Sequence, residues 1–243
     1  MIGRFALASI CTVALLMCAP SAAYAEPPAP PVPIVPAPVQ PPNIGDLKLR
    51  AIDYYDGGAY LTDLRIATAP AVTWIVEKAP RVDRPAVVFD IDETALSNWE
   101  AIRANDFGRV IDGPCVTLPA GPCGWRAWDL AARSTVIPPT FDVFTAARDS
   151  GAAVFFITGR DESQRAATER NLTDVGYTGY RQLIMEPIGA QFVSAEDFKA
   201  PRRAELEAQG YTIIANLGDQ PSDLEGGSAM QTYLLPNPFY RIP

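Results

Sequence analysis

Residues 86–94 read Ala-Val-Val-Phe-Asp-Ile-Asp-Glu-Thr, an apolar run that stops at two aspartates one residue apart. A run of this kind suits a strand buried on both faces, as in the middle of a parallel sheet. Strand alternation points Asp90 and Asp92 the same way, and open α/β sheets bind ligands beyond the carboxyl ends of their strands. Two carboxylates sharing a small site repel, unless a cation lies between them or one holds a proton. Oxygen ligands of this hardness suit Mg2+. The same residues also read as a strand followed by an acidic turn, with Asp and Thr as caps. The rest of the chain has to separate the two.

Not all of the 243 residues are expected to fold. Arg4 precedes an apolar stretch at 5–17, and Ala23-Tyr24-Ala25 offers small residues where a signal peptidase reads, so residues 1–25 are expected to be a signal peptide. The stretch is too short to span a bilayer, which argues against stable membrane insertion. A lipid anchor on Cys18 is disfavoured by Met17, which stands where a small residue is wanted. Residues 26–42 are dominated by proline and read as a stiff linker. Residues 43–243 are then long enough for one α/β domain with a full core.

The chain carries a formal charge of −8 at pH 7, which disfavours a nucleic-acid polymer as partner. It contains no histidine, which removes Ser-His-Asp and Cys-His hydrolases, histidine phosphatases and most catalytic zinc sites. Hydrolytic chemistry falls to carboxylates, hydroxyls, lysine and a hard metal. Cys11 and Cys18 lie in the leader. Cys115 and Cys123 remain as an even pair in an exported chain, and a disulfide between them is expected.

Helical patterns cover 47–76, interrupted at Gly57-Gly58, and then 95–105, 141–150, 162–174 and 199–209. Buried strands are expected at 152–158 and 211–217, with shorter ones at 183–185 and 233–235. Strands alternating with helices give an α/β fold with a mostly parallel sheet. Residues 106–139 are broken by Gly and Pro and carry the cysteine pair with Trp125 and Trp128. A long insertion after the first strand forms either a cap over the site or a stapled surface loop. Tyr54, Tyr55 and Tyr60, with the two tryptophans, are candidates for stacking on a substrate or for filling the core.

Three strands end in chemistry: Asp90/Asp92, Thr158-Gly159, and Gly218-Asp219 leading to Asp223, with Lys199 before the third. Parallel strands bring these ends to one edge of the sheet. In this order they resemble the four motifs of the haloacid dehalogenase (HAD) superfamily. The resemblance extends to its exported acid phosphatases, plant storage proteins and bacterial lipoprotein acid phosphatases through Phe155-Phe-Ile-Thr-Gly-Arg160, Gly218-Asp-Gln-Pro-Ser-Asp-Leu-Glu-Gly226 and Leu235-Pro-Asn-Pro-Phe-Tyr240.

That resemblance implies a HAD-like, Rossmannoid three-layer sandwich with a small disulfide-stapled insertion after the first catalytic strand. It implies an exported, periplasmic or secreted acid phosphatase that hydrolyses small phosphomonoesters, nucleoside monophosphates among them. Asp90 would be the nucleophile and Asp92 the acid and base, Asp90 being ionised and Asp92 protonated at the start. Thr158, Gly159 and Lys199 would bind the phosphoryl group. Mg2+ would be held by Asp90, the Asp92 carbonyl and Asp219, with Thr94, Asn98 and Asp223 in support. A non-enzymatic storage or binding protein, and a phosphotransferase to alcohols, stand as alternatives on the same fold.

Overall fold

The computed structural model describes residues 40–242. The expected signal peptide, with Cys11 and Cys18, and the proline-rich tract as far as residue 39 lie outside the described residues. Helix α1 (Ile44–Asp56) opens where the Asn43 side chain accepts the Gly45 and Asp46 amides. Gly58, at φ 81°, turns the chain into α2 (Ala59–Lys78), a conformation that costs glycine little. There follow β1 (Pro85–Phe89), β2 (Leu96–Ser97), α3 (Trp99–Ala104), α4 (Trp125–Ala131), β3 (Thr135–Val136) and α5 (Pro138–Asp149). The rest comprises β4 (Ala153–Asp161), α6 (Arg165–Asp174), β5 (Gln182–Glu186), α7 (Ala195–Ala208), β6 (Thr212–Gly218), α8 (Pro221–Leu224) and β7 (Thr232–Leu234).

Five strands form one sheet in the order β5-β4-β1-β6-β7, every neighbouring pair parallel, with β1 in the middle. The central strands are apolar over most of their length because both faces are covered. Val87, Phe89, Val154 and Phe156 pack with Ile75 of α2 and Phe144 of α5 on one face. Ala86, Val88, Phe155 and Ile157 pack with Phe198 and Leu206 of α7 on the other. Burial of each such large side chain contributes roughly 1.5–3 kcal/mol, which fixes the strands whose ends carry the site. The fold is α/β, with helices on both faces of a parallel sheet. Among the described residues no helix is long and apolar enough to cross a membrane.

The insertion is more ordered than its glycines and prolines suggest. A helix over 95–105 is expected, but Leu96 and Ser97 pair antiparallel with Val136 and Thr135, which closes the base of the insertion and delays the helix to Trp99. Within it, Cys115 and Cys123 form a disulfide, and α4 is a helix that periodicity did not announce. Pro138 and Pro139 read as breakers but start α5, where a missing amide costs nothing. Helix α7 begins at Ala195 rather than at Lys199, behind a capping box made by Ser194 and Asp197. Lys199 is thereby held on a helix face, inside its second turn.

Candidate active site

Parallel register sets the first contacts. Phe89 pairs with Phe156 of β4 and with Leu217 of β6, and the Asp90 amide donates to the Leu217 carbonyl at 2.9 Å. The carboxyl ends of β1, β4 and β6 therefore open onto one cavity of about 600 Å3, lined among others by Asp90, Asp92, Gly159, Lys199, Asp219 and Asp223.

The residues divide into two groups. Asp90, Asp219 and Asp223 each offer an oxygen within 4.8 Å of the others, and all three are buried. The Lys199 ammonium, also buried, contacts Asp90 Oδ1 and lies 2.6 Å from Asp223 Oδ1. Asp223 is placed by a capping box at α8, its Oδ2 accepting the Gln220 amide at 2.9 Å. Gly218 allows that approach: a Cβ there would lie 2.3 Å from the Asp223 Cβ. Asp219 accepts from the Thr94 hydroxyl at 3.0 Å and from Asn237 Nδ2 at 2.7 Å.

Asp92 belongs to the second group. Its Oδ1 lies 2.6 Å from Arg160 Nη2 and 2.9 Å from Asn98 Nδ2. Asn98 in turn accepts from Trp128 Nε1 at 2.9 Å and from the Ser134 hydroxyl at 2.7 Å. Behind Asp92, the buried Glu93 sits at φ 54° and takes the Asn98 amide at 2.6 Å and the Tyr240 hydroxyl at 2.8 Å.

Burial pushes the Asp90 carboxyl well above the carboxylate range, and Asp223, Asp219 and Asp92 add to that against the pull of Lys199. Burial, then Asp223, pushes Asp219 up to about 7. Burial also works against a charged Asp92, but the Arg160 guanidinium and the Asn98 amide outweigh it and hold the pKa below the ordinary value. Burial opposes the Lys199 charge too, yet Asp223 and Asp90 keep it protonated. The surroundings thus push the two carboxyls in opposite directions, Asp90 up and Asp92 down. The crowded carboxylates fit a hard divalent cation: three acids face a single lysine at that edge.

Asp90, Asp92, Lys199, Asp219 and Asp223 all reach the cavity, as does Gly159. Thr158 does not line it. It is buried behind Gly159, its hydroxyl accepting the Arg160 amide at 3.2 Å. Thr94 and Asn98 are buried supports of Asp219 and Asp92. The metal-competent carboxylate set includes Asp223, expected only as a support, and leaves out the Asp92 side chain. Tyr54, Tyr55 and Tyr60 pack with Leu64, Ile102 and Phe239 in a separate cluster, and Trp128 is core; Trp125 alone of these aromatics lines the cavity. Arg160, Glu93, Asp129, Gln164, Asn237 and Tyr240 were given no role from sequence. The one available signal was alternation on β4, which places Arg160 on the same side as Thr158.

A family model described as HAD superfamily, subfamily IIIB (Acid phosphatase), matches residues 45–243. The chain belongs to this family. The stem 28 kDa glycoprotein of Glycine max is 30% identical over 195 residues, 78% of this chain and 72% of that one. Acid phosphatase 1 of Solanum lycopersicum is 30% identical over 161 residues, 65% of this chain and 60% of that one. Vegetative storage protein 1 of Arabidopsis thaliana is 29% identical over 157 residues, covering 64% and 55% respectively. The class C acid phosphatase of Bacillus anthracis with tungstate bound shares the fold, with a TM-score of 0.64 over 81% of this chain and 86% of that one at 21% identity.

Proposed function

We propose that the protein is an exported acid phosphatase that hydrolyses small phosphate monoesters through an aspartyl-phosphate on Asp90, with Mg2+ as cofactor. The carrying observation is the meeting of Asp90 and Asp219, at the ends of adjacent strands, with Asp223 of α8 and Lys199 of α7, in a chain of the acid phosphatase family. Export rests on the leader pattern of residues 1–25.

In this reading an Asp90 oxygen attacks phosphorus, the bond to the ester oxygen breaks, and Asp92 gives that oxygen its proton. Water then attacks the phosphorus, its proton passes to Asp92, and the bond to Asp90 breaks to release phosphate. Lys199 and the Gly159 amide hold phosphoryl oxygens, and Thr158 shapes the loop that presents Gly159. Asp90, Asp219 and the Asp92 carbonyl would hold Mg2+, with Asp223 supplying a carboxylate or a water partner. Bound Mg2+ supplies Lewis-acid charge that offsets the repulsion between a carboxylate and a phosphate, about 4 kcal/mol per charge pair at 4 Å and an effective dielectric of 20.

The test is turnover of p-nitrophenyl phosphate with Mg2+ at mildly acidic pH, by the wild type and by Asp90→Asn. The variant should keep the fold and lose at least about a thousandfold in kcat, since it lacks the nucleophile. Near wild-type turnover by the variant would overturn the assignment. A wild type inactive across a panel of phosphomonoesters would return the chain to the storage reading.

A further inference from the structure

The insertion grips Asp92 from behind. Arg160, on β4, is 3% exposed and lies within 3.2 Å of both Asp92 oxygens through Nε, besides its closer Nη2 contact. Its Nη2 is also 3.2 Å from Asp129 Oδ1, on α4 of the insertion. Asp129 is 2% exposed; its Oδ2 accepts from Gln164 Nε2 at 2.8 Å, while its Oδ1 accepts no hydrogen bond and faces the guanidinium. Arg160 Nη1 reaches the Thr168 hydroxyl at 3.3 Å, so the side chain is tied at three corners. The second hold on Asp92, Asn98, is itself held by Trp128 of α4 and by Ser134. Both donors that fix Asp92 are therefore anchored on residues 128–134.

Such a hold has a chemical purpose. The carboxylates that crowd together at this edge are Asp90, Asp219 and Asp223, and the Asp92 side chain is not among them. A planar guanidinium with a second carboxylate behind it fixes direction as well as charge, which an ammonium does not. We infer that Arg160 and Asp129 are positioning residues that aim the Asp92 carboxyl at the leaving oxygen and keep it out of the Asp90 group, so that helix α4 of the insertion governs proton transfer. This rests on the reading of Asp92 as proton donor. The step served is the first: the Asp90–phosphorus bond forms, the ester P–O bond breaks, and the Asp92 proton moves to the departing oxygen to give a neutral alcohol.

The readout is the dependence of kcat/KM on the leaving group, because kcat/KM covers steps only as far as formation of the Asp90 adduct. An alkyl phosphate such as glycerol 2-phosphate must leave with a proton, whereas p-nitrophenolate leaves without one. Arg160→Met and Asp129→Asn should each lower kcat/KM for the alkyl ester at least tenfold more than for the aryl ester. Arg160→Lys should not rescue. Asp129→Asn is isosteric and keeps the test alive if Arg160→Met fails to fold. Equal falls on both esters, or rescue by lysine, overturn the inference. Asp92→Asn serves as reference. If it is selective against the alkyl ester while the Arg160 and Asp129 variants are not, the positioning role falls and the donor stands. If Asp92→Asn falls equally on both esters, the donor assignment fails, and the positioning role with it.

Discussion

Glu93 gives the molecule a stability that depends on pH in an unusual direction. Burial pushes its carboxyl from 4.5 up to about 8, with Asp92 adding to the rise and the Asn98 and Tyr240 hydrogen bonds opposing it. The folded state therefore binds this proton more tightly than the unfolded chain does. Its contribution is fully present below pH 4.5 and is lost as the pH rises through about 8. At about 1.4 kcal/mol per pKa unit the loss approaches about 5 kcal/mol, and about 2 kcal/mol where water enters to relieve the buried charge. Asp219 and Asp129, each pushed up to about 7, act in the same direction. Asp92, held low, loses its contribution only below its ordinary 3.8, outside this window.

Glu93→Gln isolates the effect. The amide cannot ionise, and it turns a donor towards Asn98 Nδ2, which lies 3.0 Å from Oε2 in the wild type; the lost hydrogen bond costs about 1 kcal/mol. Urea unfolding in chelator, at half-unit steps from pH 4.5 to 8.5, should give curves that cross. The wild type should be the more stable at the acid end and the variant by at least about 1 kcal/mol at the alkaline end. Curves that stay parallel would refute the claim that a proton sits on this carboxyl in the folded state.

Two further outcomes are expected. Gly218→Ala places a Cβ 2.3 Å from the Asp223 Cβ, so α8 must shift; a displacement near 1 Å predicts about a hundredfold loss in kcat with the protein still folded by circular dichroism, and unchanged kcat would deny the close approach. Chelator should abolish activity and Mg2+ restore it, and Asn237→Ala, which frees Asp219 Oδ2 of one donor, should weaken calorimetric Mg2+ affinity by about tenfold to a hundredfold; equal affinities would exclude Asn237 as a support of the metal site.

Apolar runs long enough to be buried on both faces were legible, so β1, β4 and β6 were found along with the acids at their ends. The cysteine pair was legible from parity once the leader was set aside. Elements with no room for periodicity were not. The pair β2 and β3 is a ladder of two residues each, and it joins residues 38 and 40 positions apart, Ser97 against Thr135 and Leu96 against Val136. Helix α4 has seven residues between Gly124 and Ala132, too few to show a face. The supporting residues were hidden for the same reason: the pairing of Arg160 with Asp92 spans 68 positions and that of Tyr240 with Glu93 spans 147. Only the sheet order brings such pairs together.

That long-range sorting bears on the motif itself. Alternation alone would give Asp90 and Asp92 one environment, since they leave the same strand on the same side. The partners break the symmetry. Asp90 meets Lys199 from α7 together with Asp219 and Asp223 beyond β6, whereas Asp92 meets Arg160 from β4 and Asn98, both braced by the insertion. Two carboxylates held by such different partners are suited to two different tasks. With Asp92 as the proposed proton donor, changes in the insertion should alter which leaving groups the site expels before they alter attack by Asp90.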